Sequence, residues 1–427
     1  MGAISWLMVV ICMFRFVQAG TNNEDRQMQS LLDRKEYLQL KTGLSVLGSH
    51  LSRERRIYFR AFVENAFNQN LQSEKDIDSL QTEYATILHV KEKAALLRLQ
   101  SNNYLRTFAY AKAAQADREI INHFSNAYDS ATIKEIKNDL LIHGALANTL
   151  PQELIKTGNT LLPWTRDKIG LIEITIKCRD SLFSAIFDTR ANISSINRTY
   201  AAKLGLKMLD VSYEEGSGIT GIRFKTGMGI ADSLYLGNIL VRHVVFQVMP
   251  DEILNIPTVG FSMNIILGFP VIEQLQEVHF FREGPMLIPL KPSPAGLTNL
   301  AIDGLDIVLF LRTEQNDSLG FYFDSGATST EFFSIFFKKY QENITSAFKP
   351  DSVQNGGAGG VVTTKVYIMD SINLYVGKRK TTLAKVAVLT DPIGNMHELF
   401  YGNIGQDFIS QANELVINFK DMYIDIR

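Results

Sequence analysis

The sequence predicts a multidomain α and β protein: an N-terminal α-helical hairpin domain, solenoid-like, followed by an all-β domain of two lobes. Three observations carry that expectation. Apolar residues recur at three- and four-residue spacing as far as about Leu154, they alternate with polar ones from Ile172 onward, and four short markers in the alternating part occur twice in the same order. At 427 residues, 46% hydrophobic and 21% charged, the chain has the composition of a globular protein with a sizeable core. Its 43 Lys plus Arg balance 45 Asp plus Glu to a net charge of −2, so no basic excess advertises a phosphate-rich partner and nucleic acid is not expected as one.

Residues 1–19 read as a signal peptide. Ile4 to Phe14 is an apolar run too short to span a bilayer, and Val17-Gln18-Ala19 sets small residues where cleavage after Ala19 is expected. An exported protein, periplasmic or extracellular, follows. Membrane attachment is expected only if this segment stays uncleaved or Cys12 is lipidated, and Ile11 stands where lipidation favours a small residue. The mature chain keeps one cysteine, Cys178, so it has no intrachain disulfide.

Residues 20–158 are expected to be helical. Ile77, Leu80, Tyr84 and Ile87 share one helical face, and Ile133, Ile136 and Leu140 follow the capping-box pattern Thr132-x-x-Glu135. Asn68-Gln69-Asn70 and Ser101-Asn102-Asn103 read as short polar connectors, which gives hairpins whose apolar stripes are buried only against neighbours. Leu97, Tyr104, Tyr110 and Ala113 resemble one tetratricopeptide repeat, with Gln100 departing from the pattern; that resemblance implies a protein partner on the helical domain.

Beyond Pro163-Trp164 the period changes, and Ile172, Ile174 and Ile176 alternate with Glu173, Thr175 and Lys177. A proline-rich seam at 289–297 separates a first lobe, 165–290, from a second, 300–427. Phe187-Asp188-Thr189-Arg190-Ala191 is answered 136 residues later by Phe323-Asp324-Ser325-Gly326-Ala327. Ile266-Leu267-Gly268 is answered by Asn403-Ile404-Gly405, and Val278-His279-Phe280 by Ile417-Asn418-Phe419. Between these markers each lobe has a glycine-rich patch, one with Gly216, Gly218 and Gly221 and one with Gly356, Gly357, Gly359 and Gly360. Four markers at a nearly constant offset predict a tandem duplication.

These motifs resemble the aspartic proteases of the pepsin and retroviral type, over about residues 165–427. Together with the exported helical region they look like a group of bacterial aspartyl proteases with two retropepsin-like repeats. The resemblance implies an acid-protease-like bilobal fold, an extended peptide or protein substrate, and an endopeptidase dyad of Asp188 and Asp324. It also implies that Thr189, Ser325, Gly326, Gly268 and Gly405 support that dyad. The chemistry explains why two copies are needed: carboxylates a few ångströms apart share one proton, so one partner accepts a proton from water while the other donates to the scissile carbonyl. The glycine-rich patches are read as flaps that close over the peptide backbone.

One residue departs from the pattern. Arg190 stands where the resemblance expects glycine: if its side chain enters the cleft it is expected to lower the dyad pKa by about 1–3 units, and the alternative is that it turns to solvent or to an acidic partner and leaves the dyad undisturbed. The alternative reading is therefore a catalytically impaired pseudoprotease that binds an extended peptide. Neither a cofactor nor a metal is expected: the seven histidines are scattered, and there is no His-Glu-x-x-His, no Gly-x-Ser-x-Gly and no phosphate-binding loop.

Overall fold

The computed structural model describes residues 23–216, 222–256, 260–294, 296–357, 360–392 and 398–427, so the expected signal peptide and Gly218, Gly221 and Gly359 of the expected flaps lie outside the described residues. The N-terminal region is helical: α1 Asn23–Asp33, α2 Tyr37–Leu47, α3 Arg53–Ala66, α4 Asn70–Glu83, α5 Val90–Arg106, α6 Tyr110–His123 and α7 Ser130–Leu146. Neighbouring helices pack as hairpins around Phe59, Leu80 and Leu96. Among the described residues no helix is long and apolar enough to cross a membrane.

Three local expectations change. Ser101-Asn102-Asn103 is the interior of α5 and no connector; the turn comes at Thr107–Ala109. Ser101 and Asn103 are buried and paired across the stack. Ser101 donates to Asp117 at 2.6 Å, Asn103 donates to Ser73 at 2.8 Å, and Asn65 donates to Asn103 at 2.8 Å. At α7 the cap is Asp129, whose carboxylate accepts the Thr132 N–H at 2.7 Å, so the helix starts ahead of Thr132. α4 ends at Glu83, which leaves Tyr84 at its C-cap and Ile87 exposed in the following turn.

Among the described residues the β region has one large sheet for each half, a five-stranded sheet that joins them, and a small two-stranded sheet of Asn255–Ile256 and Phe261–Ser262. In the strand Ile172–Cys178 the isoleucines point inward and Thr175 and Lys177 outward, as the period of two requires. In the first half Ile265–Leu267 runs parallel to Ser181–Phe187 and antiparallel to Ser194–Asn197. In the second, Gly402–Ile404 runs parallel to Ser318–Phe323 and antiparallel to Glu331–Phe332. The joining sheet pairs Glu277–Phe281 antiparallel with Glu414–Asn418. Each half thus delivers an Asp-containing turn at the end of one strand and passes a glycine-ending strand beside it.

The helices sit directly on the β region. Tyr110, Ile142 and Leu146 share an apolar cluster with Tyr213 and Met228 of the first long hairpin. The buried Arg106 pairs with Glu273 at 3.2 Å and donates to the Asn65 carbonyl, while Asn68 donates to the Phe419 carbonyl at 2.9 Å. The change of period near residue 160 is a change of secondary structure; the packing runs across it.

Candidate active site

Two strand ends present the acidic turns. Asp188 follows Ser181–Phe187 and its N–H donates to the Leu267 carbonyl at 3.0 Å; Asp324 follows Ser318–Phe323 and its N–H donates to the Ile404 carbonyl at 2.9 Å. The glycines ending the crossing strands have a steric reason. A Cβ on Gly268 would stand 2.3 Å from the Ala191 carbonyl oxygen, and one on Gly405 would stand 2.5 Å from the Ser329 carbonyl. Only hydrogen fits there, which is why the turns can fold back on the strands.

Thr189 and Ser325, both fully buried, bind the two turns together by a reciprocal exchange. The Thr189 hydroxyl donates to the Phe323 carbonyl at 3.0 Å and accepts the Ser325 N–H at 2.9 Å. The Ser325 hydroxyl donates to the Phe187 carbonyl at 2.7 Å and accepts the Thr189 N–H at 3.0 Å. Each hydroxyl uses both its donor and its acceptor capacity across the interface, which holds one turn against the other.

Each carboxylate is held by its own turn. Asp188 accepts the N–H groups of Arg190 and Ala191 at 2.8 and 3.1 Å, and Asp324 accepts the Gly326 N–H and the Asn403 amide, each at 2.8 Å. Asp188 lies against the opposite turn so closely that a Cβ on Gly326 would be 2.4 Å from its carboxyl carbon. Burial first and then the Asp324 charge push the Asp188 carboxyl up to about 7, against the smaller pull of two backbone N–H groups and Arg190.

Arg190 enters this neighbourhood with partners of its own. Its guanidinium lies 4.0 Å over the Tyr322 ring, donates to Asn403 Oδ1 at 3.2 Å, and stands 3.6 Å from Asp306 and 4.0 Å from Asp324. The expected lowering of the dyad pKa is therefore corrected for Asp188, whose pKa is raised because burial and the second carboxylate outweigh a guanidinium shared with Asp306. Asp306 and Tyr322 were not singled out from the sequence, and Asn403 was quoted only as part of a repeated marker. Asn403 alone left a visible sign, a polar residue where the first copy of its marker has Ile266.

Asp188 and Arg190 open on a cavity of about 720 Å³ whose opposite wall is helical, with Phe108, Ile142 and His143 facing Ile193 and Phe224 of the first half. Of the expected flap residues, Gly216 pairs with Arg223 in the hairpin Lys207–Gly216 and Arg223–Leu236. Gly356 pairs with Val361, and Gly357 with Gly360 at a hairpin tip where Gly360 takes φ +125°. Among the described residues no cluster of His, Cys, Asp or Glu is arranged to hold a metal ion.

Residues 173–271 match the family model described as aspartyl protease. No curated protein matches the sequence. Among solved structures, a retropepsin-like aspartic protease from Rickettsia conorii is similar at 17% identity and a TM-score of 0.21, over 32% of this chain and 92% of that one. The matched segment contains Asp188, Thr189 and Gly268, so the likeness to aspartyl proteases falls on the first of the two acidic turns.

Proposed function

We propose that this chain is an aspartic-type endopeptidase whose dyad is Asp188 and Asp324, one from each of two duplicated lobes. The observation that carries the reading is the four-bond exchange between Thr189 and Ser325, which holds both acidic turns in one place. A pair that shares a proton supplies a base for the attacking water and an acid for the carbonyl oxygen of the peptide bond. Burial and the mutual repulsion that raise Asp188 favour that singly protonated state at mildly acid to neutral pH. The substrate is an extended peptide, paired by the hairpins Lys207–Gly216/Arg223–Leu236 and Pro350–Gly357/Gly360–Val376 and laid into the cavity between the first lobe and the helices. The protein works after export, with residues 1–19 removed, and amino-terminal sequencing beginning at Gly20 would support that placement.

The test is turnover of a reduced, carboxymethylated protein by the purified mature chain across pH 3 to 8. Asp188→Asn and Asp324→Asn should each lower turnover at least about a hundredfold while leaving the circular dichroism unchanged. Cleavage that survives both substitutions sinks the dyad. A second reading, a peptide-binding module that does not cleave, is favoured by the Arg190 guanidinium 4.0 Å from Asp324. It predicts saturable peptide binding with no product at any pH.

A further inference from the structure

The residues around Arg190 form a second charged layer behind the dyad. The strands Leu300–Asp303 and Asp306–Thr313 are joined by a two-residue turn in which Gly304 takes φ +65° and Leu305 lines the cavity, and the turn sets Asp303 and Asp306 side by side at the strand ends. Arg190 is faced by Asp306 at 3.6 Å, by Asp324 at 4.0 Å, by the Tyr322 ring at 4.0 Å and by Asn403 at 3.2 Å. Behind Asp306 lies Asp303, and Asp303 is held from the helical region: Lys35, between α1 and α2, pairs with it at 2.5 Å, and the Tyr37 hydroxyl donates to it at 2.8 Å. Asn403 ties the two layers, since it accepts from Arg190 and donates to Asp324.

We propose that Asp306 is a positioning residue: it holds the Arg190 guanidinium over Tyr322, at the outer edge of Asp324, and keeps it from seating between the two carboxylates. The inference rests on the dyad reading above. An arginine seated on the dyad would favour the doubly ionised pair, and a pair without a proton has no acid to give the carbonyl oxygen. Asp306 opposes that in two ways of the same sign. It shares the arginine, and its own charge adds to the negative potential at Asp324. Burial pushes Asp306 up to about 6, with Arg190 pulling it down and Asp303 and Asp324 raising it, so it is ionised when the protein is at neutral pH. The arrangement accounts for an arginine in a turn whose counterpart, Gly326, leaves no room for a side chain against Asp188.

The alkaline limb of kcat/KM on the carboxymethylated substrate reads the charge on the dyad. Asp306→Asn should move that limb toward acid by about one pH unit. Arg190→Met should move it the other way, and in that background Asp306→Asn should shift the limb much less than it does in the wild type, because no arginine is left to hold. A uniform fall in rate at every pH in Asp306→Asn, with the limb in place, would show a merely structural aspartate and overturn the proposal. So would limbs that move in the same direction in the two single variants. If Asp306→Asn does not fold, Arg190→Met carries the test alone, and an unmoved limb overturns it. A wild type that cleaves nothing sinks the endopeptidase reading instead. The carbon-13 titration of the Asp188 carboxyl, assigned with Asp188→Asn, then still tests the linkage: a midpoint unchanged in Asp306→Asn and Arg190→Met overturns it, and opposite shifts uphold it.

Discussion

Thr189 and Ser325 show how two hydroxyls can do what a larger interface does elsewhere, because each closes two bonds to the facing turn and neither has water to fall back on. Thr189→Val keeps the volume and removes the oxygen, stranding the Ser325 N–H and the Phe323 carbonyl. We expect a loss of about 1–3 kcal/mol for each group left unpaired, read by urea denaturation, and a fall in turnover larger than the unfolded fraction explains. Gly326→Ala makes a sharper demand. Its methyl would overlap the Asp188 carboxylate, so turnover should vanish in a folded protein; an active alanine variant would mean that the carboxylate does not sit against this turn during catalysis. The motif residues were legible in the sequence because each copy is contiguous and is repeated with its closing glycine. Asp306, Asp303, Lys35 and Tyr37 were not, since they come from separate places in the chain and meet only through the fold.

At the scale of elements, α7 stands between the helical stack and the first hairpin. Leu146 is buried with Tyr110, Tyr213 and Met228, and Ile142 and His143 on the same helix line the cavity that Asp188 opens on. Leu146→Ala should cost about 2–5 kcal/mol, and the loosened wall should raise KM with kcat nearly kept. An unchanged KM at the expected loss of stability would remove the helices from the substrate's path. Period and turn chemistry made the order of elements readable, helices and then strands with a glycine-ending strand in each half, but they carried the helical region to residue 158, whereas the last of these helices ends at Leu146 and Glu153–Ile155 is already a strand. They failed inside α5, where Ser101 and Asn103 are polar for the sake of buried bonds to Asp117 and Ser73 and so resemble a loop. The cavity wall left no trace either, because apolar residues that line a cleft and apolar residues that fill a core have the same spelling.

The whole molecule carries buried carboxyl groups whose pKa values are displaced in opposite directions, and their balance sets how stability follows pH. Burial and a neighbouring carboxylate raise Asp188 to about 7 and Glu64 to about 7, and burial raises Asp306 to about 6. A raised carboxyl stabilises the fold fully below its unfolded value, and that contribution is lost as pH rises through the folded value, here between about 4 and 7. Glu277, in the sheet that joins the halves, is displaced downward. Burial alone would raise it, but it receives hydrogen bonds from His279 at 2.8 Å, from Ser293 at 2.9 and 3.0 Å and from Asn418. Its contribution is complete above the ordinary glutamate value of 4.5 and fades as pH falls through the lower folded value. Because His279 also reaches Glu414 at 2.6 Å, the acid-sensitive link lies across the two halves. The melting temperature should therefore peak in mild acid, the range in which the proposed dyad would share one proton. Asp188→Asn should raise it at pH 8 and leave it unmoved at pH 4, whereas Glu277→Gln should lower it throughout the neutral range, by about 3–5 kcal/mol of stability, and flatten the acid side. Calorimetry from pH 3 to 8 decides between this and a curve governed by net charge: an Asp188→Asn variant no more stable than wild type at pH 8 would show that the buried pair does not set the neutral limb.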